Sequence, residues 1–293
     1  MSKWNFSNLQ TSKFETNEHV INEKYENISL VCDTADIEFV SSGNDKTTVI
    51  CHEKPNAKHE VSANDGTLEI KLVDERKWYN YIGINFGTPS ITVHLPEGEY
   101  GSLFVKSSTG DLDIPKAFFF ESIDISASTG DITSLASATG AIIIKTDTGD
   151  VTVENVSAES VALSASTGDI TASDITCTGE FSVKVTTGKV QLDTVTCKNI
   201  TSTGNTGAIN LKNVIAEEKL SIERSTGNVR FEKCDGADIA IVTDTGSISG
   251  TLLSEKIFVA TSDTGKVNVP KTTTGGKCEI STDTGSINID IEL

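Results

Sequence analysis

A Thr-Gly pair recurs ten times in this chain, with its glycines at Gly110, Gly130, Gly149, Gly168, Gly188, Gly207, Gly227, Gly246, Gly265 and Gly285. Successive glycines are always 19 or 20 residues apart. A fixed period of this length marks a stacked repeat, in which each unit is one coil laid on the last. The octapeptide Ser-Ala-Ser-Thr-Gly-Asp-Ile-Thr even occurs twice, at 126–133 and 164–171, because the same corner returns two coils later.

Counted from the glycine as zero, position −7 is apolar in all ten copies, from Leu103 to Cys278, and position +2 is always aliphatic, from Leu112 to Ile287. Position −5 is apolar in nine, Ser202 being the exception. Alternation of this kind is the period of a strand with one buried face. The composition agrees: 23 Gly and abundant Ser, Thr, Val and Ile, against one Met and five Pro, favour strands and turns. Each unit reads as strand, tight Thr-Gly turn, strand and polar return, with a second corner near −9 that is glycine at Gly101, Gly140, Gly179 and Gly276. One unit alone cannot bury its apolar face, whereas stacked units bury a continuous core. The expected fold is therefore all-β: a single-stranded parallel β-helix, or β-solenoid, of ten rungs over residues 101–293. At ~4.8 Å per rung the rod is about 45 to 50 Å long, and crossover preferences favour the right hand.

The first hundred residues break the period but rhyme with it. Asp33-Thr34-Ala35-Asp36-Ile37 resembles the repeat corner with Ala for Gly, and strands are expected at 47–51, 60–63, 68–72 and 91–95 around a turn at Asn64-Asp65-Gly66. Residues 28–100 thus read as an N-terminal β-subdomain that holds a degenerate rung and caps the open edge of the rod, as solenoids require. Residues 1–27 read as an extension or linker.

This array of Ser-Thr-Gly-Asp-Ile-type corners resembles the bacterial putative-adhesin family, a domain of unknown function whose members fold as β-helices. The resemblance spans roughly Ile28 to Leu293 and departs from the family pattern where Asp after Gly is replaced, as at Lys189, Ala208 and Ser247. It implies a surface module with no established catalytic residues. Members from Gram-positive bacteria often follow an N-terminal membrane helix, so the opening residues Met1 to Phe6 look like a start just beyond one, on the outer side of the membrane.

Candidate chemistry is sparse. Asp111, Asp131, Asp150 and Asp169 share position +1 on four rungs, and Asp244, Asp263 and Asp283 share position −2 on three. Like charges ~5 Å apart repel by on the order of 1 kcal/mol in high dielectric, so bridging calcium is the candidate ion, with water and nearby Lys as the alternative. With Asp147, the last three also spell Asp-Thr-Gly, the aspartic-protease tripeptide, but here in register with serines of other turns. Trp78, Tyr79, Tyr81 and Phe86 form one aromatic cluster and Phe118, Phe119 and Phe120 another; they serve either glycan or protein binding or packing against the first rungs. Arg224 is the odd residue at position −3 and reads as a solvated strand end or a ligand-binding arginine, with Gly204 one rung below leaving space for it. Cys177 and Cys197 share position +9 on adjacent rungs and read as a stacked ladder of buried thiols, since neighbours pointing the same way suit a disulfide poorly. The four histidines show no metal-ligand spacing.

The formal net charge of −18 argues against a nucleic-acid partner, because phosphate recognition needs clustered Lys and Arg. The reading that follows is a non-enzymatic module of the bacterial cell envelope, an adhesin or scaffold that binds a protein or glycan along the rod. The competing reading is a carbohydrate-active β-helix enzyme working with an acidic pair.

Overall fold

The computed structural model of the chain describes residues 14–74 and 88–292, and among them every regular element is a β-strand. The ten Thr-Gly rungs stack parallel and in register, so that Ile123 lies between Leu103 and Ile142, and Phe181 between Val161 and Ile200. Side chains at −7, −5 and +2 turn inward and build one apolar column from Ile28 to Ile289. The alternating sequence is thus buried by neighbours above and below as well as by the facing strand of its own rung.

The corner glycines are fixed by the stacking. Gly188 has φ 150°, and a Cβ added there would stand 1.9 Å from the carbonyl oxygen of Gly168 on the rung below. The next rung's backbone occupies the place where any side chain would be, so only glycine fits. The other strained corner differs from the expected one near −9, where Gly140 and Gly179 have no positive φ. It falls at position +6, where Asn155, Asp174, Thr194, Asn213 and Lys233 adopt left-handed φ of 51° to 58° on five successive rungs.

The expected linker at 1–27 is corrected within its described part, because Glu15–Ile21 is a strand, β1. It is followed by β2 (Asn27–Val31), β3 (Asp36–Ser41), β4 (Thr47–Glu53), β5 (Ala57–Asn64), β6 (Thr67–Asp74) and β7 (Ser90–Leu95). The degenerate corner is a true rung: Ile28 pairs with Leu103, Ile37 with Leu112, and Ala35 N–H donates to the Thr109 carbonyl at 2.9 Å. Beneath it β6 and β7 form one more rung. Antiparallel β5 then extends the sheet of β6, and β4 with β1 extends that of β7, which closes this end. The core crosses residue 100 without a break.

Rung order does not follow chain order at either end. The first rung of the sequence, β2 and β3, lies inside the β6–β7 rung. At the other end the Gly285 rung sits between those of Gly246 and Gly265: Gly246 N–H donates to the Thr284 carbonyl at 2.9 Å, and Gly285 N–H to that of Thr264 at 3.0 Å. The outermost strand, Lys256–Thr264, pairs on one side only, with Gly276–Thr284.

Cys177 and Cys197 are joined in a disulfide, which corrects the expectation of free stacked thiols. In-register rungs bring the two Cα atoms to 4.7 Å, inside the range a disulfide spans.

Candidate functional site

The acidic file at +1 has a structural task. Asp111 Oδ1 accepts the backbone N–H of Asp131 at 2.8 Å, Asp131 that of Asp150 at 2.8 Å, Asp150 that of Asp169 at 2.7 Å, and Asp169 that of Lys189 at 2.7 Å. Each carboxylate meets an amide dipole from the next rung, which relieves the repulsion expected of a stacked file. Asn228 does the same for Ser247 at 2.8 Å, so the position wants a short side-chain acceptor, charged or neutral. Asp244, Asp263 and Asp283 are exposed at corners, in the spatial order 244, 283, 263 that the swapped rungs impose. An aspartic dyad needs two carboxylates sharing one proton in a cleft; these stand in an open file.

Arg224 is not at a solvated strand end. It is 1 % exposed and lies in the core opposite Gly204, where an added Cβ would meet its Nη1 at 2.3 Å. Nη1 donates to the Val185 carbonyl at 2.9 Å, while Nε and Nη2 have no partner. Burial holds its guanidinium below the ordinary arginine range. A surface ligand cannot reach it. Trp78, Tyr79, Tyr81 and Phe86 lie outside the described residues. Phe118 and Phe120 are buried and pack on Tyr100 at ring separations of 6.2 and 5.7 Å, so this second cluster joins the cap to the first rungs.

Among the described residues, a lysine–serine–aspartate grouping resembles catalytic machinery. Lys256 Nζ donates to Ser254 Oγ at 2.6 Å and to Asp235 Oδ1 at 2.7 Å. Burial alone would raise the Asp235 carboxyl, but the bonds from Lys256, Ser254 and Gly236 and the charge of Lys256 outweigh it and hold the group below its usual range. The ammonium is thus clamped as a donor and does not act as the base a serine nucleophile requires. Burial, with Glu53 alongside, pushes the Cys51 thiol up to about 12, and burial first of all takes Cys278 to about 12 and Cys234 to about 11. These cysteines are inert as nucleophiles.

A shallow depression of about 650 Å³ lies on one flank of the rod. It crosses five rungs, from Gly168 to Gly246. Position +3 supplies Thr171, Gln191, Asn210, Arg230 and Ser249, each paired in register with the next. Position +5 adds Ser173, Asp193, Lys212 and Glu232. Alternation sends these side chains outward, between the buried residues at +2 and +4, and Gly250 leaves room at +4 where Phe231 fills the core beside it. Lys212 Nζ lies 3.7 Å from Asp193 Oδ2, and Thr194 Oγ1 donates to Asp193 Oδ1 at 3.0 Å. Two cations and two anions balance within this lining, on a protein that is strongly acidic overall. None of these residues stands out in the sequence, since the first rungs also carry polar residues at +3, Asp113 and Thr133.

Residues 25–192 and 177–292 match the Toastrack DUF4097 family, a domain of unknown function, and the chain belongs to that family. A crystal structure described as a "putative adhesin" from Parabacteroides distasonis is 13 % identical, with 95 % of this chain and 98 % of that one covered at a TM-score of 0.49. A "putative adhesin" from Bacteroides fragilis is 15 % identical, with coverage of 94 % and 97 % and a TM-score of 0.44. A "putative lipid binding protein" from Parabacteroides distasonis is 17 % identical, with coverage of 94 % and 96 % and a TM-score of 0.43. No curated protein matches the chain.

Proposed function

We propose that this member of the Toastrack DUF4097 family is a non-enzymatic binding rod of the bacterial envelope, and that the flank depression holds an extended, hydroxyl-rich polymer such as a glycan strand. The carrying observation is the five-rung file of Thr171, Gln191, Asn210, Arg230 and Ser249, which offers one hydrogen-bonding side chain per rung. A rung repeat of about 4.8 Å is comparable to the length of one sugar unit. A shallow trough contacts one side of a chain rather than enclosing a small molecule. The Cys177–Cys197 disulfide supports an oxidising compartment outside the cytoplasm. No helix among the described residues is long and apolar enough to cross a membrane.

The enzymatic alternative has one observation in its favour. Asp193 and Glu232 lie in the depression two rungs apart, about 9.6 Å at a rung spacing of about 4.8 Å, at the upper limit of the roughly 6.5–9.5 Å separation of an inverting acidic pair. Lys212 occupies the rung between them, where a scissile bond would have to sit.

Binding of envelope polysaccharides and peptidoglycan fragments to the purified chain, on a glycan array and by pull-down, tests the proposal. The Gln191→Ala/Arg230→Ala double variant should bind at least about tenfold more weakly with an unchanged melting temperature, as expected when hydrogen-bonding and charged contacts are lost. A double variant that binds like the wild type, or a wild type that retains none of these polymers, would sink the proposal. Release of reducing ends that disappears in Asp193→Asn and in Glu232→Gln would install the enzyme instead.

A further inference from the structure

Away from the depression, the cap holds a compact set of metal-ligating side chains. The inward face of β4 carries Cys51 and Glu53, and that of β5 carries His59; they are 0, 2 and 6 % exposed. A ligand atom of each, the Cys51 sulfur, a Glu53 carboxylate oxygen and a His59 ring nitrogen, lies within 4.8 Å of the other two. Glu53 Oε2 accepts the His59 main-chain N–H at 2.7 Å and lies 2.8 Å from His59 Nδ1, while Asn17 Nδ2 on β1 donates to Glu53 Oε1 at 2.7 Å.

A plain histidine–carboxylate pair leaves part of this arrangement unexplained. His59 Nε2 is buried and has no hydrogen-bond partner. If the ring is an imidazolium, that nitrogen is a buried donor with no acceptor. If it is neutral, Glu53 is a buried carboxylate without an ion-pair partner among the described residues, since Lys58, which feels its charge, is paired with Glu15 at 2.8 Å. Either state carries a cost on the order of 1–3 kcal/mol or more. The Cys51 sulfur, a soft donor, also faces a carboxylate in the same dry interior, a pairing that a shared cation would turn from unfavourable to favourable.

We propose that Cys51, Glu53 and His59 form a binding site for one zinc-class divalent cation. The donor set selects the ion: one sulfur, one imidazole nitrogen and one carboxylate oxygen suit zinc, whereas calcium and magnesium take oxygen shells. Binding converts the Cys51 thiol to a metal-bound thiolate and releases its proton to solvent. Solvent takes the fourth position of the tetrahedron. Asn17 acts as an outer support that orients Glu53, so an ion here fastens β1, β4 and β5 together. Those strands close the rod at this end. The ligands lie only two and six residues apart around the turn from β4 to β5, at spacings that match no familiar metal motif, and it is the fold that makes them converge.

The test uses the full chain, stripped with a chelator and titrated anaerobically with cobalt(II) as a spectroscopic stand-in for zinc. One equivalent should produce a near-ultraviolet thiolate-to-cobalt absorption with the visible bands of a tetrahedral ion, and zinc should displace it. Stoichiometric zinc should raise the melting temperature by several degrees, with no such rise from magnesium. Cys51→Ser should abolish the thiolate absorption, Asn17→Ala should weaken uptake about tenfold, and Cys278→Ser, a buried thiol on another rung, should keep both. Should Cys51→Ser fail to fold, zinc K-edge absorption of the wild type decides, with one sulfur and the remaining neighbours nitrogen or oxygen expected. A folded wild type that takes up no stoichiometric cobalt, a thiolate absorption that persists in Cys51→Ser, or a zinc shell without sulfur would overturn the site.

Discussion

The two ends of the rod are built from the same kind of rung and finished differently. At the N-terminal end β6 and β7 are extended by antiparallel β5, β4 and β1, and the inward residues Val49, Cys51, Leu68 and Val93 are fully buried. At the C-terminal end the strand Lys256–Thr264 has a partner on one side only, and its inward Phe258 and Ala260 are only partly buried. Ile257 and Val259 on the same strand are 47 and 49 % exposed. The repeat therefore guarantees burial only in the middle, and an end has to be closed by chain that departs from the repeat. Both ends do share one device, since the first and last rungs of the sequence lie one layer in from the ends of the rod. Each is gripped on both sides.

The largest contrast should come from the corner glycines. At Gly188 an added Cβ falls 1.9 Å from a backbone oxygen and at Gly265 it falls 2.0 Å from one. The clash is equal, but Gly188 has rungs on both sides and Gly265 lies on the last. Gly188→Val should cost more than about 4 kcal/mol and prevent cooperative folding, whereas Gly265→Val should cost about 1–2 kcal/mol by loosening one rung. Chemical denaturation of the two variants measures the difference; equal losses would show that the terminal rung is as tightly held as the middle.

Core truncation gives a second, smaller contrast. Phe120 is wholly buried beside Tyr100, while Phe258 is only partly buried at the bare end. Phe120→Ala should cost about 3–5 kcal/mol and Phe258→Ala about 1 kcal/mol, because a cavity forms only where neighbours cannot relax into solvent. A cost at Phe258 as large as that at Phe120 would mean that the open end is covered in solution.

How legible these regions were in the sequence follows from what each position demands. The rung is written plainly, since inward positions −7, −5 and +2 need apolar side chains and the corner needs glycine. The +6 corner was missed because Asn and Asp there look like any polar return, and Thr194 and Lys233 disguise the left-handed backbone altogether. β1 was missed because Glu15–Ile21 buries no full apolar face and pairs at an edge. The rung swaps leave no trace in the period, which is identical for coils stacked in or out of order. Arg224 reads from the sequence as a solvated strand end or a ligand-binding arginine because a buried guanidinium is rare, although Gly204 opposite it marks the space. The depression and the Cys51, Glu53 and His59 set were illegible for a common reason. Their members are distant or irregularly spaced in sequence, and only the stacking or the turn from β4 to β5 makes them neighbours.

Acidity should act on the open end selectively. Asp235 holds Lys256, whose strand is the outermost one, and its folded carboxyl ionises at lower pH than in the unfolded chain. The stabilisation is therefore complete above about pH 4 and is lost as pH falls through the folded value. Elsewhere, protonation of a strongly acidic surface relieves repulsion, so the effects have opposite signs. Hydrogen exchange at pH 6 and pH 3 should show residues 248–264 losing protection relative to residues 27–41, and Asp235→Asn should show that loss already at pH 6. Uniform change along the rod would exclude this clamp as the tie that holds the last rung.

The smallest effect tests whether backbone strain at the +6 corner differs between the middle and the open end. Thr194 (φ 58°) and Lys233 (φ 53°) both adopt the left-handed conformation, which costs a non-glycine residue, and a β-branched one most of all, about 1–2 kcal/mol. Asn155 and Asn213 tolerate it better. Thr194→Gly removes the strain in mid-rod and gives up one exposed hydrogen bond to Asp193. It should stabilise the protein by about 0.5–1 kcal/mol once the greater freedom of glycine in the unfolded chain is set against the relief. Lys233→Gly relieves similar strain but also removes the ion pair of Lys233 Nζ with Glu292, 3.2 Å away, one of the contacts that fasten the C-terminal residues to the rod. An exposed pair is worth only about 0–1 kcal/mol, so the net change there should be close to zero and accompanied by faster exchange in residues 287–292. Melting temperatures read the first effect and hydrogen exchange the second. A Lys233→Gly gain equal to that at Thr194, with the tail still protected, would show that the inserted last rung is held by its two neighbours alone.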